Sequence, residues 1–261
     1  MPQIDFTHIQ LLKLYKAIEE SGYEWKSYKD LNSNSSIPSK TVILRHDVDQ
    51  FPKRALECAL LEKQNSIVST YFFRKKHFLR NTGVIKKIIE LGHFVGYHYE
   101  NLADFNGNVD QAILDFENTI KFIRQDFEIK WISAHGSPMT RFNNQSIWSK
   151  SDALTYNLID ISNPEIYKKN FYLTDTGRSW NNEEFNLRDR AYQNSNGFIS
   201  DGTTSSIIDG FKKELFPDQI IINVHPQRWN HKLGPWLGEL LMQSVKNPFK
   251  YAIGRWRGII N

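Results

Sequence analysis

At 261 residues, 40% of them hydrophobic and 24% charged, the chain has a soluble globular composition and the length for one large α/β domain or two small ones. Its net charge of +4 is spread without any Lys and Arg cluster resembling a nucleic-acid arm, and the single cysteine, Cys58, excludes a disulfide within the chain. No window reaches the roughly 18 uncharged apolar residues that a membrane span needs, and the mild positive charge suits solubility or a weakly anionic partner such as a phosphorylated substrate or a membrane surface.

The first twenty residues carry Asp5, Glu19 and Glu20 and lack the continuous apolar core of a secretory signal. A cytoplasmic protein is therefore expected, with peripheral attachment at the inner membrane face as an extension of that reading. Phe6, Ile9, Leu12, Tyr15 and Ile18 follow helical spacing and predict an amphipathic helix over 5–20, capped by Asp5 or Thr7. The polar stretch 31–39 reads as a loop. Then come a strand over 41–45 that runs into His46-Asp47-Val48-Asp49, a helix over 52–64, a strand over 67–73, a helix over 81–91, a strand over 93–99, a helix over 109–124 and a strand over 129–134. Strands alternating with helices imply parallel strands joined by crossovers, and such folds collect their chemistry at the C-terminal strand ends. Asp47, Asp49, His98, Glu100 and His135 all fall at those ends.

Beyond residue 140 the pattern loosens. Asn143-Asn144-Gln145 and Asn181-Asn182-Glu183-Glu184 read as excursions at one barrel mouth, 156–161 and 171–175 as short strands, 205–215 as a helix, 219–225 as a buried strand and 235–245 as a closing helix. No repeat, linker or composition boundary divides the chain, so a single domain over 1–261 is expected, with the helix and loop of 1–40 packed on it.

The stretch TVILRHDVD, 41–49, organises the rest. If extended geometry continues to its end, Asp47 and Asp49 project to one face and His46 and Val48 to the other. Two neighbouring carboxylates repel unless a cation lies between them or one is protonated; the alternative is an ordinary strand end whose aspartates cap the helix that Pro52 opens. In GHFVGYHYE, His98 and Glu100 fall on one side of a strand, either as a metal-facing pair or with His98 as a satisfied core histidine. In WISAHGSPMTR, His135 ends a strand and Gly136 allows a tight turn whose N–H groups near Ser137 could hold an oxyanion, or which is simply a turn beside a histidine. LTDTGRSW gathers Asp175, Arg178 and Trp180, where Asp175 could orient a histidine and Trp180 form an apolar wall. IINVHPQRW delivers His225 to the same mouth, where an imidazole of unperturbed pKa ~6.5 beside a carboxylate can donate a proton near neutrality.

In this order the five fragments, spanning roughly 41–229, resemble the polysaccharide deacetylase family, carbohydrate esterase family 4. The resemblance implies an α/β fold of distorted (β/α)7-type barrel form. It also implies one divalent metal (zinc first, with cobalt, nickel, iron or manganese as alternatives) and removal of N-acetyl, sometimes O-acetyl, groups from amino sugars. By position it implies Asp47 as general base, Asp49 and His98 as metal ligands, His225 as general acid, and Asp175 with Trp180 as the segment supporting that acid. The sequence departs from the family at two places. The second metal histidine would fall at Leu102, and the third motif, centred on an Arg and a Pro, is replaced by His135-Gly136-Ser137-Pro138. The third ligand is therefore expected to be His135, with Glu100 as the alternative, and Ser137, Arg178, Trp180 and Trp229 are expected to contact substrate. The wording HDVD and GYHYE is most similar to the branch tied to O-antigen and capsule biosynthesis. That implies an acetylated amino-sugar intermediate of surface lipopolysaccharide, linked to a nucleotide, a lipid or an oligosaccharide.

Two other readings use the same residues: another C–N hydrolase on the same barrel, acting on a cyclic amide or ureide, and a metal-free barrel that binds glycan through its Trp and Tyr. A phosphohydrolase built on the His46-Asp47 doublet is disfavoured, because strand alternation sends those two side chains to opposite faces.

Overall fold

The computed structural model describes residues 4–30, 40–137, 140–180 and 201–256. The loop expected over 31–39, the cluster Asn181-Asn182-Glu183-Glu184, and Pro138 lie outside these residues. The strands are β1 (Glu24–Lys26), β2 (Thr41–Val48), β3 (Thr70–Phe73), β4 (Phe94–Tyr99), β5 (Trp131–Ala134), β6 (Ile159–Asp160), β7 (Phe171–Thr174) and β8 (Gln219–Val224). All pair in parallel, in the order β6-β5-β4-β3-β2-β8-β7, with β1 alongside the start of β2. Among the described residues β6 and β7 do not pair with each other, so the curled sheet stays open along one seam. This is the distorted (β/α)7-type barrel that the sequence implies.

The helices are α1 (His8–Glu20), α2 (Pro52–Gln64), α3 (Lys75–Arg80), α4 (Thr82–Glu90), α5 (Asn101–Asp104), α6 (Val109–Ile123), α7 (Pro164–Lys169), α8 (Thr204–Lys212) and α9 (Leu233–Trp256). Outward side chains of the strands bury against them in two clusters. Val42, Leu44, Leu173, Ile220 and Ile222 pack with α1 and α8, while Tyr71, Phe73, Val95, Tyr97 and Ile132 pack with α2, α4 and α6. Inward side chains fill the barrel floor, where Ile43, Phe72, Trp131, Tyr172 and Ile221 meet Tyr167 of α7. Gly96 belongs to this inner face; a Cβ there would lie 2.5 Å from both the Phe72 ring and the Trp131 carbonyl oxygen, so only glycine lets β3, β4 and β5 close beneath His98.

Several elements differ from the sequence reading. α1 starts at His8, and Thr7 is its cap, its hydroxyl accepting from the Gln10 N–H, while Asp5 accepts from Phe6 and Thr204. Its buried stripe is Leu11, Leu14, Tyr15 and Ile18, and Ile9 is 66% exposed. The expected stripe advanced by three residues throughout, which drifts around a helix of 3.6 residues per turn; the real face mixes steps of three and four. β3 and β5 are shorter than expected, and the short α3, α5 and α7 carry too few turns for periodicity to show them. α9 runs past Lys246-Asn247-Pro248, which reads as a stop in sequence, to Trp256.

Candidate active site

The inward positions of β2 are Ile43, Arg45 and Asp47. Arg45 is buried, and its NH2 donates to Asp47 Oδ1 and to Ser133 Oγ, both at 2.6 Å, while its NH1 donates to the Tyr167 hydroxyl at 2.8 Å. The parallel register sets Arg45 beside Asn223 of β8, whose side-chain amide donates to Asp47 Oδ2 and to the Tyr172 hydroxyl, both at 2.9 Å. Burial alone would raise the Asp47 pKa, but Arg45 first, then His98 and His225, outweigh it and hold this carboxyl well below the usual range. Asp47 is therefore an ionised, immobile carboxylate.

β2 ends at Val48, and the chain turns through a hydrogen bond from the Asp49 N–H to the Asp47 carbonyl. Asp49 nonetheless reaches the same rim. It does not cap α2, whose N-cap is Phe51 without any side-chain capping bond. One ligand atom from each of Asp49, His98 and His135 lies within 4.8 Å of the others. His98 donates from Nδ1 to the Ser133 carbonyl at 3.0 Å. Burial foremost, with Asp47 opposing it, brings its pKa down to about 4. The ring is thus neutral near pH 7, and its Nε2 presents a lone pair 3.6 Å from Asp49 Oδ1 and 3.9 Å from Asp47 Oδ2. Three electron-rich atoms facing one another is an arrangement that a cation stabilises. Asp49 Oδ1 is buried and accepts no hydrogen bond, so an orphaned oxygen points into the cluster.

His135 completes it, with Nε2 3.4 Å from Asp49 Oδ1 and its ring 5.1 Å from that of His98. On its far side, Nδ1 lies 2.9 Å from Ser137 Oγ and 3.1 Å from Glu100 Oε2. Burial opposes a charged ring here, but the Asp49 and Glu100 carboxylates prevail and raise His135 to about 9. Glu100 is gripped by Arg74, Nε to Oε1 at 2.6 Å and NH2 to Oε2 at 2.5 Å. It backs His135 instead of joining the three donors. Two imidazoles and a carboxylate, each histidine steadied through its other nitrogen, form a donor set that fits a divalent transition metal.

Across the rim, the ends of β7 and β8 deliver a hydrogen-bonded histidine–carboxylate pair. His225 Nδ1 lies 2.6 Å from Asp175 Oδ1. The fully buried Asp175 also accepts from Arg228 NH1 at 2.6 Å, from the Trp229 indole N–H at 2.7 Å and from the His225 backbone N–H. Burial raises the Asp175 pKa, yet Arg228 and then His225 overcome it and lower this carboxyl. An imidazole held through Nδ1 on a buried carboxylate has Nε2 left for proton transfer.

No family model matches the sequence, and no curated protein matches it. Among solved structures the chain is similar to a family 4 carbohydrate esterase of Streptococcus mutans, at 14% identity over 84% of each chain with a TM-score of 0.46. It is similar also to a pseudoenzyme of that esterase family from Bacillus anthracis, at 13% identity over 82% of this chain with a TM-score of 0.41. A third is the peptidoglycan deacetylase PdaC of Bacillus subtilis, at 14% identity over 81% of this chain and 96% of that one with a TM-score of 0.39. The chain spans 62% of the Bacillus anthracis protein. At these values the chemistry of the site has to be read from its own geometry.

Some residues expected at the site lie behind it. Trp180 is buried, with its indole N–H on Thr204 Oγ1, and packs against the equally buried Trp229. Both rings sit in the core cluster that includes Phe6, Ile207 and Phe211, and Trp229 donates its indole N–H to Asp175. Arg178 donates to the Trp236 carbonyl and stacks between Phe6 and Trp236, away from the three-donor cluster. Leu102 is buried in the outer hydrophobic core of α5, and the histidine beside His98 comes from β5 in its place. Sequence reading missed Arg45, Asn223, Arg228 and Gln227, the last donating to Asp49 Oδ2 at 3.2 Å. Arg45 and Asn223 each stand two residues before a noted site residue, so the alternation already applied to Asp47 would have turned them inward.

Proposed function

We propose that this chain is a metal-dependent hydrolase of the polysaccharide deacetylase type, removing an N-acetyl group from an amino sugar. The observation that carries the reading is the convergence, on one rim, of the Asp49, His98 and His135 donors with the ionised Asp47 and the His225–Asp175 pair. A divalent cation held by Asp49, His98 and His135, zinc before cobalt, nickel, iron or manganese, would polarise the amide carbonyl and bring the pKa of water from about 15.7 toward 7. Asp47, fixed by Arg45 and Asn223, takes the proton of the attacking water. Ser137, whose φ of 40° bends the chain beside His135, supplies a backbone N–H to the oxyanion, worth roughly 3–4 kcal/mol for one such donor. His225 protonates the departing amine, and Asp175 holds its ring and supports its charge. The wording HDVD and GYHYE supports an O-antigen or capsule precursor as the substrate, handled in the cytoplasm or at the inner membrane face. Among the described residues no helix is long and apolar enough to cross a membrane.

Metal analysis of the purified protein together with acetate release tests this reading, using N-acetylated amino sugars carried on a nucleotide, a lipid or an oligosaccharide. Asp47→Asn is expected to abolish turnover and keep the metal, whereas Asp49→Ala is expected to lose the metal. Equal metal retention in both variants, or acetate release unaffected by either, would contradict the assigned roles.

A further inference from the structure

A second group of metal-ligating side chains lies on the helical layer, built from three distant segments. His8 is the first residue of α1, Glu57 lies in α2, and His231 follows the turn after β8. One ligand atom from each lies within 4.8 Å of the others. His8 is only 8% exposed, and its Nε2 is buried without a hydrogen-bond partner. A buried imidazole nitrogen without a partner is the state of a histidine prepared to ligate, since buried polar atoms are otherwise nearly always bonded. His231 Nδ1 lies 3.6 Å from Glu57 Oε2, too long for a hydrogen bond.

The ring geometry agrees. Two imidazoles on one ion, with bonds of ~2.0–2.1 Å at a tetrahedral angle, have ring centroids about 5.2 Å apart. The His8 and His231 centroids are 5.2 Å apart. Glu57 and His231 are both partly exposed, so an ion can enter from solvent and keep a water in its fourth position. We propose that His8, Glu57 and His231 form a second divalent-metal site, taking zinc or a neighbouring transition metal through two nitrogens and one oxygen. An ion there ties α1 and α2 to the segment that carries His225, Arg228 and Trp229. Trp229, two residues before His231, donates its indole N–H to Asp175. The site is a staple for the turn behind the acid, separate from the Asp49 cluster.

The test is a zinc chloride titration of the chelator-stripped full chain against a chromophoric competitor. Two equivalents are expected for the unaltered protein, and one for Asp49→Ala. His231→Ala and Glu57→Gln, both at partly exposed positions, are expected to keep the Asp49-dependent equivalent and to weaken the other at least ~100-fold, beyond the 10–100-fold cost of losing an outer-shell partner. Zinc should raise the Tm of Asp49→Ala but not that of Asp49→Ala combined with His231→Ala. Unchanged zinc stoichiometry and affinity in both His231→Ala and Glu57→Gln would overturn the site. So would zinc-edge anomalous diffraction from zinc-saturated crystals of the unaltered protein with no peak between His8 and His231.

Discussion

Replacing Asp175 with asparagine removes one charge and almost no volume, and it isolates the support given to His225. The wild-type carboxylate accepts from His225 at 2.6 Å, Arg228 at 2.6 Å and Trp229 at 2.7 Å with no solvent access. An amide has one accepting oxygen, so its NH2 must face one of those donors, and Arg228 is left buried without its counter-charge. Loss of one partner from a buried ion pair costs about 3–5 kcal/mol, which for a chain of this length lowers Tm by roughly 10 °C. Burial raises the Asp175 pKa, but Arg228 and His225 bring it below the unfolded value. The wild-type advantage is therefore full above pH ~4 and fades on further acidification. On the proposed reading, the His225 imidazolium also loses its stabilising carboxylate, so kcat should fall by on the order of 10³–10⁴. Acetate release, with thermal unfolding alongside, measures both effects. If Asp175 acts through His225, Asp175→Asn combined with His225→Ala should be no slower than His225→Ala alone. A double variant whose loss equals the product of the single losses would refute the coupling.

Two further outcomes follow from the same electrostatics. His135, raised to about 9 by carboxylates that outweigh its burial, carries a proton at pH 7, whereas His98, lowered to about 4, does not. Zinc uptake by the stripped protein at pH 7 should thus release about one proton from the Asp49 cluster. Calorimetry in buffers of different ionisation enthalpy reads that number, and no release from this cluster would contradict the assignment of His135. On the outer face of β2, the fully buried Glu62 accepts from Tyr15 at 2.9 Å, Tyr71 at 2.7 Å and Ser69 at 2.6 Å, with His46 Nε2 2.7 Å away. Glu62→Ala should cost about 3–5 kcal/mol in urea unfolding and leave metal content unchanged, because His46 faces away from the rim; lost metal would mean that the two faces of β2 are coupled.

The parallel architecture and the residues at its strand ends were legible in the sequence because both depend on local spacing. Alternation along TVILRHDVD separates His46 from Asp47, and the structure shows His46 on Glu62 and Asp47 on Arg45, on opposite sides of the sheet. Which strand would supply a partner was not legible. That Asn223 lies against Asp47 depends on register between segments far apart in sequence. The burial of Trp180 and Trp229 was hidden for a related reason. An aromatic side chain near a reactive residue reads the same in sequence whether it faces solvent or the back of the site, and only the helices packed over it decide.

Arg45 and Asp47 occupy consecutive inward positions of one strand, and their Cα separation is set by two residues of pleated backbone, about 6.6–6.8 Å. The spacing of anion and counter-ion is thereby written into covalent geometry, while His135 and His225 hang from turns just beyond their strands. On the proposed reading, rim segments can be exchanged, lengthened or displaced to suit a differently shaped sugar, and the ionisation of this carboxylate will stay as it is. Specificity can drift at the lip of the barrel while the reactive anion beneath it keeps its charge.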